Sequence, residues 1–290
     1  MKKNGSGLEK TTESDRAGIF SGQSPLLLKV KGLQVRYATK KNWLGQSGTG
    51  VDALKDIHFE VYRGETLGIV GESGSGNTTL GRSLLGLNKP VGGSILYGNA
   101  ELLSMDKADL LAFRKNIQIV FQDPYSSLNP RLMVGPAIAE PIQVHSHKTR
   151  QQRKERVVEL LGQVDLEAGH YNRYPHAFSG GQRQRIVIAR ALSLDPGFVV
   201  FDESVSALDV SVQAQVLNLI NDLKQELGFT AVFISHDLSV IRYLCNRVLV
   251  MEKGLIVESG EVEQVYQHPQ TEYTRSLLAA IPGGDLIRKF

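Results

Sequence analysis

The chain has 290 residues, 41% of them apolar and 22% charged, with 33 basic against 30 acidic side chains and a formal charge of +3. That apolar share suffices for a full hydrophobic core, in one large domain or one domain with a subdomain. So even a charge balance excludes the overall basic field that grips nucleic acid non-specifically, and the single Cys245 excludes an intramolecular disulfide and any cysteine-built zinc or iron–sulfur centre.

Residues 1–25 are rich in Gly, Ser and charge, lack an apolar stretch of signal-peptide length, and read as a disordered tail. From Leu26 short alternating apolar runs, LLKVKGLQVRY and IHFEVYRGETLGIV, predict strands on either side of a polar surface loop that starts at Ala38. The run TLGIV stops at Gly71, and after a glycine-rich turn NTTLGRSLLGL has helical apolar spacing, so a strand, a loop and a helix follow in that order. The middle of the chain differs. DKADLLAFRKN and TRQQRKERVVELLGQVDL have helical period, FQDPYSSLNPRLMVGPAI is punctuated by Pro and Gly, and a helical subdomain is expected over 123–178. Its basic cluster HKTRQQRKER reads as a solvated helix face rather than a nucleic-acid patch.

Beyond it strands and helices alternate again: GGQRQRIVIARALSL, FVVFD, VSVQAQVLNLINDLKQEL, TAVFIS, LSVIRYL, then the paired runs RVLVME and LIVESG around Lys253 and Gly254. This alternation predicts an α/β fold with a mainly parallel sheet covered by helices. The expected division is 26–122 for the leading β segment and first part of the core, 123–178 for the helical subdomain, 179–265 for the second part of the core, and 266–290 for a C-terminal helix and tail. No run approaches the roughly 18–20 apolar residues that cross a bilayer.

Three stretches carry chemistry. In residues 71–79 Gly71, Gly76 and Thr78 occupy the glycine and hydroxyl positions of the phosphate-loop pattern G-x-x-x-x-G-K-[ST], with Asn77 where the lysine belongs. The glycines let backbone N–H groups turn onto phosphate oxygens, the helix adds its positive end, and Thr78 is a ligand for Mg2+. Ser73, Gly74, Ser75, Asn77 and Thr79 complete the candidate nucleotide-binding run. Downstream, FVVFDES ends a strand in Asp202, placed to hold Mg2+ through water, and Glu203, placed to polarise an attacking water. In FSGGQRQRIVIARAL a second glycine-rich loop, Ser179, Gly180, Gly181 and Gln182, opens a helix and offers a hydroxyl and N–H groups to another phosphate.

With this third stretch the chain resembles the ATP-binding cassette (ABC) ATPases, over about residues 26–282. The resemblance implies a P-loop NTPase of ABC type: a mainly parallel core sheet, an antiparallel β subdomain leading into it and an inserted helical subdomain. It implies that Tyr37 stacks on adenine, that Gln122 senses the γ-phosphate and the metal, that the loop from Ser206 to Asp209 crosses to the opposite subunit, and that His236 contacts the γ-phosphate. The metal ligands become Thr78, Gln122 and Asp202, the catalytic set Glu203, His236 and Gln122, and the cofactors ATP and Mg2+. In the family two cassettes face head to tail, each nucleotide lying between the phosphate loop of one and the signature of the other.

The segment after Tyr37, FQDPYSSLNPR and the tail HPQTEYTRSLLAAIP look like the cassettes of oligopeptide, dipeptide and nickel importers. That group implies a second cassette as partner in a hetero- or homodimer, membrane-spanning permease subunits, an extracytoplasmic substrate-binding protein, and a peripheral place on the cytoplasmic face of the plasma membrane. Nucleic acid is not an expected partner. Two residues depart from the family: Ser204, where proline usually follows the glutamate, and Asn77. Asparagine is neutral and several ångströms shorter than lysine, so hydrolysis is expected to be slower by roughly 10²-fold or more while MgATP binding suffers less. The rival expectations are a non-hydrolysing ATP-binding partner in an asymmetric dimer, a nickel-chelate importer subunit, and a soluble cassette acting on nucleic acid or ribosomes.

Overall fold

The computed structural model describes residues 25–37 and 50–280. The expected tail up to Ser24, the start of the polar loop after Tyr37, and the Pro-Gly end of the C-terminal helix lie outside the described residues. In chain order the first half comprises β1 (Leu26–Tyr37), β2 (Val51–Tyr62), β3 (Thr66–Val70), α1 (Asn77–Leu84), β4 (Gly92–Tyr97), β5 (Ala100–Glu101), α2 (Lys107–Phe113), β6 (Ile117–Val120), α3 (Pro124–Ser127), α4 (Val134–His145) and α5 (Arg150–Gln163). The second half comprises α6 (Gly180–Leu192), β7 (Phe198–Asp202), α7 (Val210–Leu227), β8 (Thr230–Ile234), α8 (Leu238–Leu244), β9 (Arg247–Glu252), β10 (Leu255–Glu261), α9 (Val262–Gln267) and α10 (Glu272–Ala279).

Two sheets form. The first is antiparallel, in the order β2-β1-β4-β5, and the second runs β10-β9-β3-β8-β7-β6. In the second sheet all pairs are parallel except the β9–β10 hairpin. That hairpin turns on Lys253 (φ 48°) and Gly254 (φ 82°), the paired left-handed residues of a tight two-residue turn. The central strands β3, β7 and β8 are buried at every position, as strands covered on both faces must be. One face of this sheet packs with α4–α8, and the other, through Leu67, Ile69, Phe198, Val200 and Val232, packs with α1 and the antiparallel sheet.

The segment FQDPYSSLNPRLMVGPAI is more regular than its prolines suggest. Asp123 caps α3 with Pro124 in the first turn, and α4 begins at Val134 so that Pro136 lies in its first turn, where a missing N–H costs nothing. The basic run of 147–156 leads into and along α5, which opens with a Thr149–Gln152 capping box, and Arg156 pairs with Glu159 and Asp195.

The sheet order decides where chemistry can occur. Neighbouring strands β3, β8, β7 and β6 release, at their carboxyl ends, the glycine-rich loop, His236, Glu203 and Gln122 respectively. In open α/β sheets that edge is where ligands bind.

Candidate functional site

The loop after β3 is shaped by glycines at two positions where a Cβ would clash. Gly76 has φ 105° and a Cβ there would lie 2.6 Å from the Ala53 carbonyl oxygen; a Cβ on Gly71 would lie 2.3 Å from that of Met251. Among the described residues no side chain caps the N-terminus of α1, so its first N–H groups stay available to an acceptor outside the helix. Ser75 Oγ is buried and has no hydrogen-bond partner among the described residues. Orphan donors of this kind fit a bound polyphosphate.

Gly76→Ala tests the loop's geometry. A left-handed φ costs a residue with a Cβ about 1–3 kcal/mol, and here the fixed Ala53 carbonyl adds a clash. A melting temperature lower by roughly 4 °C or more is expected by scanning fluorimetry. Gly74→Ala, at φ 87° but with nothing within 4 Å of its Cβ, should lose less. Equal melting of the two variants would contradict this account.

Asn77 is buried and turns back on its own loop: Nδ2 donates to the Gly71 carbonyl at 3.3 Å, and among the described residues Oδ1 has no partner. Thr78 points the other way, its hydroxyl donating to Asp202 Oδ1 at 3.2 Å. Burial pushes the Asp202 carboxyl above its ordinary pKa, with the Thr78 hydroxyl and the Arg82 charge pulling it back and Glu203 adding to the rise. A buried carboxylate beside a hydroxyl is a site that gains from a divalent cation. The hard oxygens of Thr78, Asp202 and Gln122 suit Mg2+, which takes few protein ligands and completes its shell with phosphate and water.

Glu203 follows β7 with φ 48°, an uncommon conformation for a residue with a side chain, while its N–H continues the ladder to Ile234 O at 3.0 Å. Gln122 Nε2 donates to Glu203 Oε2 at 2.9 Å and approaches Ser206 Oγ at 3.4 Å. His236 Nδ1 stands 3.5 Å from the same Glu203 oxygen. Ser204, next to Glu203 in the chain, is buried, and its hydroxyl has no partner among the described residues. A cleft of about 430 Å³ is lined by Thr78, Arg82, Gln122, Asp123, Arg190 and Asp202 among others.

Tyr37 ends β1 half exposed, its hydroxyl 3.4 Å from Thr79 Oγ1. Ser179 caps α6 in a capping box with Gln182, accepting from Gln182 N–H at 3.3 Å and so keeping its own proton to donate. Gly181 lets α6 approach α7, since a Cβ there would lie 2.4 Å from Val212. Asp209, at the start of α7, is exposed and bonds no backbone N–H of that helix. Among the described residues no hydrogen bond joins Ser179, Gly180, Gly181 or Gln182 to residues 71–79. The site therefore gathers Thr78, Asp202, Glu203, Gln122 and His236, and among the described residues the second glycine loop is not bonded to it.

Sequence reasoning missed the braces behind the loop. Gly254 N–H donates to Ser75 O at 2.9 Å, and Glu72 N–H donates to the Tyr273 hydroxyl at 3.1 Å. The hairpin around Gly254 was readable, but its contact with a loop so far back in the chain was not.

The ABC transporter family model matches residues 54–206. The chain is 48% identical to the dipeptide transport ATP-binding protein DppF of Escherichia coli over 260 residues, 90% of this chain and 77% of that protein. It is also 48% identical to the oligopeptide transport ATP-binding protein OppF of Bacillus subtilis, covering 88% of this chain and 82% of the relative. Among solved structures, the dimeric post-hydrolysis state of the ATP-binding cassette MJ0796 bound to ADP and Pi superposes with a TM-score of 0.71 at 28% identity, covering 81% of this chain and 99% of that one. The structure of cbiO1 from Clostridium perfringens, part of the transporter complex cbiONQ, gives 0.73 at 27%, covering 89% and 97%.

Proposed function

This chain belongs to the ABC transporter family, and from that premise we propose that it is the ATP-binding subunit of an importer that carries peptides across the plasma membrane. The observation that carries the reading is the convergence of Thr78, Asp202, Glu203 and Gln122 on adjacent strand ends beside a loop of orphan N–H groups. The peptide substrate is supported by the names of the relatives DppF and OppF.

In this reading the backbone from Gly71 to Thr79 holds the phosphates, Tyr37 stacks on the base, and Thr78, Asp202 and Gln122 hold Mg2+. The metal supplies neutralisation of charge on the phosphates. Glu203 accepts the proton of the attacking water, and His236 contacts the γ-phosphate. Gln122 is the link to movement: it stands between β6 and the helices α3–α5 and bonds Glu203, so a shift of those helices changes its hold on the base. The division into core segments 26–122 and 179–265 around the helical subdomain 123–178 is part of the same proposal. Ser179–Gln182 and Asp209, which among the described residues make no hydrogen bond to residues 71–79 of their own chain, complete the site of a partner cassette. Permease subunits and an extracytoplasmic binding protein supply the path and the substrate, with this chain peripheral on the cytoplasmic side. No described helix is long and apolar enough to cross a membrane.

Asn77 favours a second reading, in which this subunit holds MgATP without turning it over and lends its signature to an active partner. Its amide is spent on the Gly71 carbonyl and brings no charge to the phosphates.

The test is uptake in the source cell after deletion of the gene. Loss of uptake of labelled di- and oligopeptides, restored by the chain in trans, is the expected result. Unchanged peptide uptake with loss of nickel uptake would replace the substrate, and loss of neither would sink the importer reading.

A further inference from the structure

The C-terminal helix reaches the phosphate loop. Glu72 is the residue after Gly71, and its N–H donates to the Tyr273 hydroxyl at 3.1 Å across 201 residues of sequence. The helix bearing that hydroxyl, α10, is fixed at its start. Glu258 of β10 accepts from Gln270 N–H at 2.8 Å, from Thr271 N–H at 3.1 Å and from the Thr271 hydroxyl at 3.2 Å, while Thr271 Oγ1 caps Thr274 N–H at 3.1 Å. Burial pushes the Glu258 carboxyl up, but the donations from Thr274, Gln270 and Thr271 outweigh it and hold the pKa below its ordinary value. Further along, Leu277 and Leu278 join Tyr273 in packing against the core. The phenol oxygen is thus held by a packed ring on an anchored helix.

The other braces on this loop are backbone to backbone: Gly254 N–H on Ser75 O at 2.9 Å, and the Met251 carbonyl pressed against Gly71. Among the described residues, Tyr273 is the side chain from outside the loop that holds a backbone N–H between Gly71 and Gly76, and it comes from an element outside the matched span of 54–206. A loop that binds through several N–H groups pays an ordering cost when it closes on its ligand, and a brace present beforehand removes part of that cost.

We propose that Tyr273 is a positioning residue of the nucleotide site: by holding the Glu72 N–H its hydroxyl fixes the start of the loop in the shape that binds the phosphates of a nucleoside triphosphate. This rests on the functional reading above. Tyr273 touches no substrate, and acts only through the loop.

The test is Tyr273→Phe in the full chain, which removes one oxygen and keeps the packed ring. MgATP affinity is measured by calorimetry in both the native and the Asn77→Lys chain, together with hydrogen exchange at Glu72 and nucleotide-free melting. A neutral hydrogen bond is worth about 0.5–1.5 kcal/mol, so affinity should fall roughly two- to tenfold. Exchange at Glu72 should quicken, with melting shifted by no more than a few degrees. Unchanged affinity, whether or not melting falls, means that Tyr273 only packs α10 and overturns the proposal. Absence of MgATP binding in both parent chains is a different result, and overturns the functional reading together with this one.

Discussion

Asn77→Lys is expected to raise MgATP turnover at this site by roughly 10²-fold or more, with a smaller gain in affinity. The reason lies in what the asparagine does instead. It is buried at the first position of α1, its amide donates to the Gly71 carbonyl at 3.3 Å, and its Oδ1 is an acceptor with no donor. A bound phosphate would find there a neutral group already engaged with the loop and an oxygen of the wrong polarity. Lysine at the same position carries a full charge on a stem long enough to leave the loop. A charge-assisted hydrogen bond is worth about 1.5–3 kcal/mol, and the charge that develops on the transferred phosphoryl group makes such contacts count most in the transition state. The ground-state cradle of N–H groups is unaltered, so the gain should fall on kcat more than on binding. Asn77→Ala is the control: if asparagine contributes nothing to catalysis, alanine should turn over about as slowly. Steady-state phosphate release with and without a partner cassette decides the matter. A native chain as fast as the lysine form would defeat the argument and require a different cation; Arg82, which lines the cleft with Thr78 and Asp202, would be the first to remove.

Much of this site could be read before any coordinates, because its parts are local. TLGIV is an apolar run broken by glycine, and α1 follows the loop within the same short segment, so strand, loop and helix were visible together. Asp202 and Glu203 close the equally apolar FVVFD in the same way. What the sequence does not carry is adjacency between distant segments. Gln122 meets Glu203 because β6 lies beside β7, and β7 lies beside β8, which places His236; strand order is a tertiary fact with no local signal. The left-handed φ of Glu203 was equally hidden, since glutamate rarely adopts it. Asn77 was legible as a missing charge, but its retreat onto the Gly71 carbonyl depends on the loop's folded shape. The contacts of Gly254 and Tyr273 with the loop follow from β9 lying beside β3 in the sheet, with the hairpin to β10 and then α10 after it.

Glu203→Gln, made in the Asn77→Lys chain so that there is turnover to lose, is expected to lower kcat by roughly 10²- to 10⁴-fold, the range over which a positioned general base contributes. MgATP binding should persist. The backbone argues that this side chain is held on purpose. A φ of 48° costs a glutamate about 1–3 kcal/mol, and the surroundings maintain it through the Ile234 carbonyl on its N–H and the Gln122 amide on its carboxylate. Glutamine preserves the size and can still accept from Gln122, so the variant removes only the capacity to take a proton. His236→Ala should cost less, because that imidazole is largely exposed and stands 3.5 Å from the carboxylate. The adjacent carboxylate provides the alternative. Burial raises the Asp202 carboxyl above its ordinary pKa, and a higher pKa makes a better proton acceptor. Turnover retained in Glu203→Gln but lost in Asp202→Asn would move the base to Asp202, and the 2.9 Å bond from Gln122 to Glu203 would then be a latch between the helices and the sheet rather than a hold on the catalytic group.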